Sequence, residues 1–391
     1  MVRGKQSSVV NSEFRSLLLA LWSSIPYSEF IWAVIPPLLL PIYYYRRATA
    51  PPPLFPLLLC FGWGAIFGGT ALGLEWIFEH FIKQWEYWQR FTRTLAGVAV
   101  RQLVFIAPVE EGCKLAGVVT FRWLVGRRGN GRSPALSIFI QTIAIALGFT
   151  AQESWVYLSN GVATVFDRAI GTPIHAMFST AFGYALAREQ GRKELREFLS
   201  REAEGTKSRE ELNPHAPRRG FMARDTRATA RFTTHHSTHY LLPITNYYSL
   251  INAVICHALV NIFSSAWRYN APLNLLSYLL FPFLLWLFWR MEGWWRRVQH
   301  QPSIILISGM TSVHRYWQRG LVVFALMLGG NAIFGFFLLV RTLSPLQPVQ
   351  LLEPDVIWSI ASRTVLNSIP GAIACGIYKY LRLAARHRNL A

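Results

Sequence analysis

Apolar segments of membrane-spanning length recur along the chain, and they constrain its fold more than any other feature. A helix of about 20 apolar residues crosses a bilayer core, and a helix satisfies its own backbone hydrogen bonds in lipid. We predict about nine spans, at residues 30–45, 54–78, 95–125, 134–158, 169–187, 241–267, 273–289, 321–340 and 356–378. The sequence therefore predicts an all-α, polytopic transmembrane helical bundle.

Composition favours a membrane protein over a nucleic-acid-binding one. Hydrophobic residues make up 52% of the 391 residues and charged residues only 15%, whereas a soluble domain has about 25% charged residues. Lys and Arg outnumber Asp and Glu by 39 to 20, an excess that in a soluble protein would suggest a nucleic-acid partner. Here the basic residues lie in loops between apolar segments, so we expect contact with the lipid bilayer and no nucleic acid.

The basic residues also predict an orientation, because they fall in alternate loops and cytosolic loops carry the excess of Lys and Arg. We therefore expect the N-terminus outside and the C-terminus in the cytosol. The loops assigned to the cytosol contain Arg46 and Arg47, Arg122 to Arg132, residues 188–240, Arg290 to Arg319, and the tail from Lys379. The nearly neutral loops assigned to the outside contain Asp167 and Arg168, Arg268, and Arg341 with Glu353 and Asp355.

The chain divides into five segments. Residues 1–29 hold an apolar stretch too short to span, which we expect at the interface, and residues 30–187 form a transmembrane core. Residues 188–240 are a basic cytosolic insert, predicted to be helical in its first half and disordered in its second. Residues 241–267 complete the core, and residues 268–391 add further transmembrane helices and a basic tail.

A Glu-Glu-x-x-Lys motif, Glu110, Glu111 and Lys114, lies inside the apolar third span. Each charge costs roughly 2.5–3.5 kcal/mol at the centre of a membrane helix, so a segment that only had to span the membrane would not carry three. On a helix, Glu110 and Lys114 share a face, and Glu111 points about 100° away. One carboxylate can thus pair with the lysine while its neighbour faces another partner.

Three further spans each carry polar residues at helical spacing. Glu153 reads as an unpaired carboxylate, Pro173 suits the start of a helix and would place His175 in its first turns, and the remaining pair shares one face of the sixth span. By depth, Glu153 and His175 lie in the outer third, and Glu110 and Glu111 near the middle. We expect all these residues to converge on one cavity open to the outside. The motifs are Phe149-x-x-x-Glu153, Pro-Ile-His175 and His257-x-x-x-Asn261.

Imidazoles and carboxylates in one cavity indicate hydrolysis of an acyl bond by one of two routes. They form a zinc-type ligand set with an open position for water. They can also act without metal, as a buried Glu that activates water beside His and Asn groups that stabilise an oxyanion. No GxSxG or HExxH motif occurs and no Asp lies in a core span, which disfavours serine, zincin-type and aspartyl mechanisms.

Other candidate ligands have simpler explanations. The four cysteines, Cys60, Cys113, Cys256 and Cys375, all lie in apolar segments without CxxC spacing, so we expect packing rather than disulfides or metal binding. This includes Cys113 and Cys256, which adjoin motif residues. The cluster His235-His236-x-x-His239 lies in a polar stretch, where we expect solvated side chains.

In order and spacing, the Glu110-Glu111-x-x-Lys114, Phe149-x-x-x-Glu153, His175 and His257-x-x-x-Asn261 motifs resemble those of the PrsW family of intramembrane proteases. The resemblance covers about residues 30–267. It implies membership of a superfamily that includes CAAX prenyl endopeptidases and bacteriocin-immunity proteases. Those proteins typically have Arg after the Glu-Glu pair and His in place of Glu153, so Lys114 and Glu153 favour the PrsW branch.

The resemblance implies site-1-type cleavage of a membrane-tethered regulator, such as an anti-sigma factor, in a bacterial cell membrane. It implies a catalytic set of Glu110, Glu111, Glu153, His175 and His257, with Lys114, Phe149 and Asn261 in support. If a metal such as zinc is used, the expected ligands are Glu111, Glu153, His175 and His257; metal and glutamate-only mechanisms both stay open. The general base is Glu111 or Glu110.

Two alternatives remain at this point. A CAAX-type endopeptidase or bacteriocin-immunity-like protease would use similar residues, and a CAAX-type site should open to the cytosol. A non-enzymatic carrier or membrane scaffold would use the carboxylates for proton or cation coupling, although the sequence shows no internal repeat. The sequence does not indicate an oligomeric state.

Overall fold

A computed structural model describes most of the chain, and within that part it contains helices and no strands. The described residues are 27–125, 134–212, 244–301, 306–309, 311–344, 346–347 and 349–388. The first helices are α1 (Tyr27–Arg47), α2 (Leu54–Ile82), α3 (Glu86–Phe91), α4 (Leu95–Arg101), a π-helix (Gln102–Ile106) and α5 (Ala107–Val125). There follow α6 (Pro134–Ser159), α7 (Val165–Leu212), α8 (Ile244–Ala266), a 3₁₀ helix (Leu273–Leu279), α9 (Leu280–Val298), α10 (Ser312–Leu343) and α11 (Pro354–Arg388).

Five helical segments in the described ranges are long and apolar enough to cross a membrane. They are Leu54–Ile82, Ala135–Ser159, Tyr247–Ala266, Leu273–Val298 and Ser312–Leu343. The predicted all-α membrane bundle is therefore confirmed, whereas the count of nine spans stays a prediction. One reason for the difference is visible in α5, where Glu110, Glu111, Lys114 and Arg122 break up the apolar composition.

The helix α6 forms the centre of the bundle. Of its most apolar stretch, 78% is buried, against 11–33% in the other four apolar segments. It crosses α2 closely, because a Cβ at Gly148 would overlap the carbonyl of Phe61 and a Cβ at Gly64 would overlap that of Ile145. Small residues let helix backbones approach in this way. The crossing fixes α6 at the level of Phe149, the next residue along.

The predicted third span is divided by a π-helical turn, Gln102–Ile106. Pro108 follows it and has no N–H for the carbonyl of Val104, which accounts for a local departure from α-helical bonding. A π-turn inserts an extra residue and often marks a functional site. Here it directly precedes the helix that carries the Glu-Glu pair.

The prediction that Pro173 begins a helix is wrong, since α7 begins at Val165 and Pro173 lies in its interior. The start is set by Thr164, whose hydroxyl accepts from the backbone N–H of Asp167 at 3.3 Å while the Asp167 carboxylate accepts from the Thr164 backbone N–H at 3.2 Å. This reciprocal pair is a capping box. His175 consequently lies about three turns into the helix rather than in its first turns.

α7 continues to Leu212 through the first half of the predicted insert. The second half of the insert, with the His235, His236 and His239 cluster, lies outside the described residues, as does the segment 1–26.

The helix ends that carry the predicted cytosolic charges meet at one end of the bundle. Arg47 at the end of α1 forms an ion pair with Glu292 of α9, with 2.5 Å between Nη2 and Oε1. Arg122 near the end of α5 donates to the side chain of Gln190 of α7 at 3.2 Å. Basic residues assigned to the same side by sequence are thus neighbours in space.

Candidate active site

Four helices bring the predicted polar residues together. α5 supplies the Glu-Glu pair and the lysine, α6 supplies Phe149 and Glu153, α7 supplies His175, and α8 supplies His257. Glu110, Glu111, Lys114, His175 and His257 are all buried. Their contacts, described next, join them into one cluster.

Glu111 lies at the back of this cluster and is fully buried. Its Oε1 accepts from Lys114 Nζ at 2.7 Å and from His257 Nδ1 at 2.9 Å, and its Oε2 accepts from the Ser179 hydroxyl at 3.2 Å. Since an ionised carboxylate only accepts hydrogen bonds, the His257 proton lies on Nδ1. The other nitrogen, Nε2, is then free to accept, and it lies 3.8 Å from Glu110 Oε1.

Lys114 is fully buried and contacts both carboxylates, not one as the helical spacing suggested. Its Nζ lies 3.2 Å from Glu110 Oε2 and 2.7 Å from Glu111 Oε1. It also lies 2.9 Å from His175 Nδ1 and 4.4 Å from the centroid of the Phe149 ring. The ring faces the cation, an arrangement that stabilises a buried charge. Lys114 therefore offsets the charge of the Glu pair from one side.

Glu153 is not unpaired, which corrects the sequence prediction. Both of its oxygens accept from the Arg168 guanidinium, at 3.3 and 3.0 Å, and Oε2 lies 3.2 Å from His175 Nε2. Arg168 also donates from Nε to Ser154 at 2.9 Å. Sequence analysis placed Arg168 in a loop, whereas the early start of α7 puts it in the first turn of that helix, facing α6.

A cavity of about 910 Å³ opens onto the cluster. Glu110, Glu153, His175 and His257 line it, whereas Glu111 lies behind them. Its opposite wall is apolar and comes from α9 and α10, and its rim carries charges of the loops predicted to lie outside. The apolar wall includes Phe281, Leu284, Phe334 and Phe337, and the rim includes Asp167, Arg168, Arg268 and Arg341.

Asn261 also lines the cavity, but it does not contact the Glu and His residues directly. Its Nδ2 donates to Gln102 Oε1 at 2.9 Å, and both residues belong to the cavity wall. Gln102 is the first residue of the π-turn. This hydrogen bond therefore ties α8 to the segment that leads into the Glu-Glu motif.

Three residues in the described part of the chain present ligand atoms close enough together to hold a metal ion. Atoms of Glu110, Glu153 and His175 all lie within 4.8 Å of one another. Carboxylate oxygens with an imidazole nitrogen in a buried site fit a divalent metal such as zinc. The group contains Glu110 where the sequence analysis expected Glu111, because Glu111 is already bonded to Lys114, His257 and Ser179.

The structure adds residues that the sequence analysis did not select. Ser179 is four residues after His175 on one helix face, a spacing that could have revealed it. Gln102 is an amide in an apolar run, a weaker signal. Arg168 and Glu75 gave no signal, because charges near span ends are ordinary; Glu75 lines the cavity. The cysteines are free, and Cys60 and Cys256 are buried, as expected.

Comparison with known proteins gives one match. Residues 52–201 match the PrsW family of intramembrane metalloproteases, a stretch that includes Glu110, Glu111, Lys114, Glu153 and His175 but ends before α8. No curated protein matches the chain. No solved structure matches it either. The predicted resemblance is therefore confirmed over these residues: they form a PrsW-type intramembrane metalloprotease domain, and the protein is a membrane peptidase.

Proposed function

We propose that this protein hydrolyses a peptide bond of a membrane-tethered protein inside the cavity described above. One observation carries the proposal. Two carboxylates and two imidazoles, from Glu110, Glu153, His175 and His257, line one wall of a cavity deep in an apolar bundle. Burying such groups costs several kcal/mol each, and hydrolysis by activated water requires a base and polar groups at one place.

The geometry favours Glu110 over Glu111 as the general base. Glu110 lines the cavity, where a water molecule can reach it. Both oxygens of Glu111 are occupied by protein donors. Glu111 therefore acts as a positioning residue that holds His257 with Nε2 towards Glu110, as carboxylates commonly orient histidines at metal sites.

Zinc is the metal we propose, held by Glu110, Glu153 and His175, with His257 Nε2 next to Glu110. Zinc at such a site activates water and polarises the scissile carbonyl. Without it, Glu110 activates the water itself and His257 stabilises the developing oxyanion. In both cases the apolar wall from α9 and α10 excludes bulk water from the bond being cut.

The substrate class rests on the family resemblance, which implies a membrane-tethered regulator such as an anti-sigma factor cut on its outer side. Two features support an outward-facing site. The cavity rim carries Asp167, Arg168, Arg268 and Arg341, all from loops that the charge distribution assigns to the outside. The N-terminus would then lie outside and the C-terminus in the cytosol. A CAAX-type site would open at the opposite end.

Cleavage of a membrane-tethered reporter by the purified protein tests the proposal. Glu110→Gln and His257→Ala should each lower the cleavage rate by a factor of about 10²–10⁴, the range typical of general acid–base groups. Glu86→Gln is the control, since Glu86 is exposed and pairs only with Arg90 at the surface. Wild-type cleavage by both active-site variants would end the hypothesis. Loss of cleavage with a zinc chelator, and recovery with added zinc, would separate the two routes.

A further inference from the structure

A second cavity, of about 510 Å³, lies between α7, α8 and α9. Its walls are strongly basic, with Arg188, Arg192, Lys193, Arg196 and Arg290. Among the described lining residues the carboxylate is Glu189, and it forms an ion pair with Lys193 at 2.9 Å. The cavity therefore presents a surplus of positive charge, which the catalytic proposal does not use.

Arg290 is held in place inside this basic cavity. Its guanidinium carbon lies 4.7 Å from the ring centroid of Trp286 and 4.5 Å from that of Trp294. Its Nη2 donates to the side-chain oxygen of Asn252 at 2.6 Å. Trp294 in turn stacks on Tyr184, with centroids 5.9 Å apart. A guanidinium fixed in this way is preorganised to bind a phosphate through its planar set of donors.

Three more arginines extend the positive surface along α7. Arg188, Arg192 and Arg196 are spaced four residues apart and so share one face of the helix. Within the described ranges none of them forms an ion pair with a carboxylate. Arg188 and Arg192 are exposed, which leaves both available to an incoming anion.

The position of the cavity indicates a membrane ligand. Arg188 to Arg196 flank Gln190, the residue that meets Arg122 at the end of the bundle predicted to be cytosolic. Tyr184, Tyr248 and Trp294 line the same cavity, and Tyr and Trp are enriched where a protein meets the headgroup layer. Basic pockets between membrane helices on the cytosolic side bind anionic headgroups.

We propose that this cavity binds a phosphate group, supplied by the headgroup of an anionic phospholipid. The volume suits a single headgroup rather than an extended acidic peptide, which would need a longer groove. The site also contacts the catalytic helix: Arg290 Nη1 lies 3.8 Å from Cys256 Sγ, and Cys256 precedes His257. The binding itself does not depend on the proposed protease activity.

Native mass spectrometry of the full-length protein tests this, from detergent micelles that contain equal amounts of phosphatidylglycerol and phosphatidylcholine. The wild type should retain phosphatidylglycerol in preference. The double variant Arg188→Gln/Arg192→Gln should weaken that retention by roughly tenfold or more, since each basic residue contributes to headgroup attraction. The matched control is Arg315→Gln/Arg319→Gln, which removes two exposed charges on the same predicted side and should retain the lipid.

Equal loss in both double variants, or no preference in the wild type, would overturn the proposal in favour of general surface attraction. Arg290→Gln gives a second measurement and should lower retention as well. Inorganic phosphate and a poly-glutamate peptide are then added as competitors. Retention that persists in both supports a lipid; displacement by phosphate alone would assign the site to a soluble phosphate, and displacement by the peptide to an acidic protein segment.

Discussion

Lys114 shows at the scale of single residues why the cluster holds together. Its ammonium has no solvent exposure and contacts Glu110, Glu111 and His175. Two carboxylates side by side repel each other unless a cation lies between them. The stability of the buried Glu pair therefore depends on this one side chain.

Replacing Lys114 with methionine should destabilise the protein by about 3–5 kcal/mol, the cost of removing one partner from a buried ion pair. Thermal unfolding in detergent measures this. Lys83→Met is the matched control, because Lys83 is exposed and pairs with Glu79 at the surface, where such pairs contribute about 0–1 kcal/mol. Equal unfolding temperatures for the two variants would show that the carboxylates do not need the cation.

Arg168 is the counterpart of Lys114 on the other side of the cluster. It binds both oxygens of Glu153, one of the proposed zinc ligands, so it competes with a metal ion for them. Arg168→Gln should therefore raise the affinity for Zn²⁺ by about tenfold, close to one charge-assisted hydrogen bond. Calorimetric titration of the metal-free protein measures this.

Arg101→Gln is the control for this titration, because Arg101 also lines the cavity but forms its ion pair with Glu79. A lower zinc affinity in Arg168→Gln would mean that Arg168 holds Glu153 in position for the metal rather than competing with it.

The sequence predicted which motif residues meet, but not how they pair. Glu110, Glu153, His175 and His257 could be selected because each is costly in an apolar helix. The pairing of Glu153 with Arg168 could not be predicted, because it depends on where α7 begins. That start is set by Thr164 and Asp167, a local capping signal that competed with Pro173.

At the scale of helices, the position of the site depends on how closely α6 approaches α2. The order of the spans and most of their centres followed from hydropathy. The π-turn at Gln102–Ile106 did not, since hydropathy carries no signal for one extra residue in a turn. The close crossing at Gly148 also depends on backbone contact, which a glycine in an apolar run only suggests.

Gly148→Ala should force α6 and α2 apart, because the new methyl group would overlap the carbonyl of Phe61. Overpacking of this kind typically costs about 1–3 kcal/mol. It should also lower reporter cleavage, since Phe149 and Glu153 lie on the displaced helix. Thermal unfolding and cleavage are measured together.

Gly69→Ala is the matched control, as Gly69 lies in α2 with open space around it. There alanine should be neutral or slightly stabilising, because it favours the helix. If Gly148→Ala is as stable and active as Gly69→Ala, the two helices are not held at backbone contact.

For the molecule as a whole, the two cavities lie at opposite ends of the charge distribution. The rim of the catalytic cavity carries Arg268 and Arg341 from the nearly neutral loops. The basic cavity begins at Arg188, next to the Arg122–Gln190 contact. The positive-inside bias assigns the first end to the outside and the second to the cytosol. Orientation therefore decides which compartment supplies the substrate.

Labelling with a membrane-impermeant maleimide tests this orientation in intact cells, in a background where Cys113 and Cys375 are replaced by Ser. Asn160→Cys lies at the turn between α6 and α7, close to the rim, and should react before permeabilisation. Thr49→Cys follows α1 beside Arg46 and Arg47 and should react only afterwards. Both positions are exposed, so a difference in labelling reports the side of the membrane. The reverse pattern would place the catalytic cavity at the cytosol, where a CAAX-type endopeptidase acts, and would remove the case for a substrate cut outside.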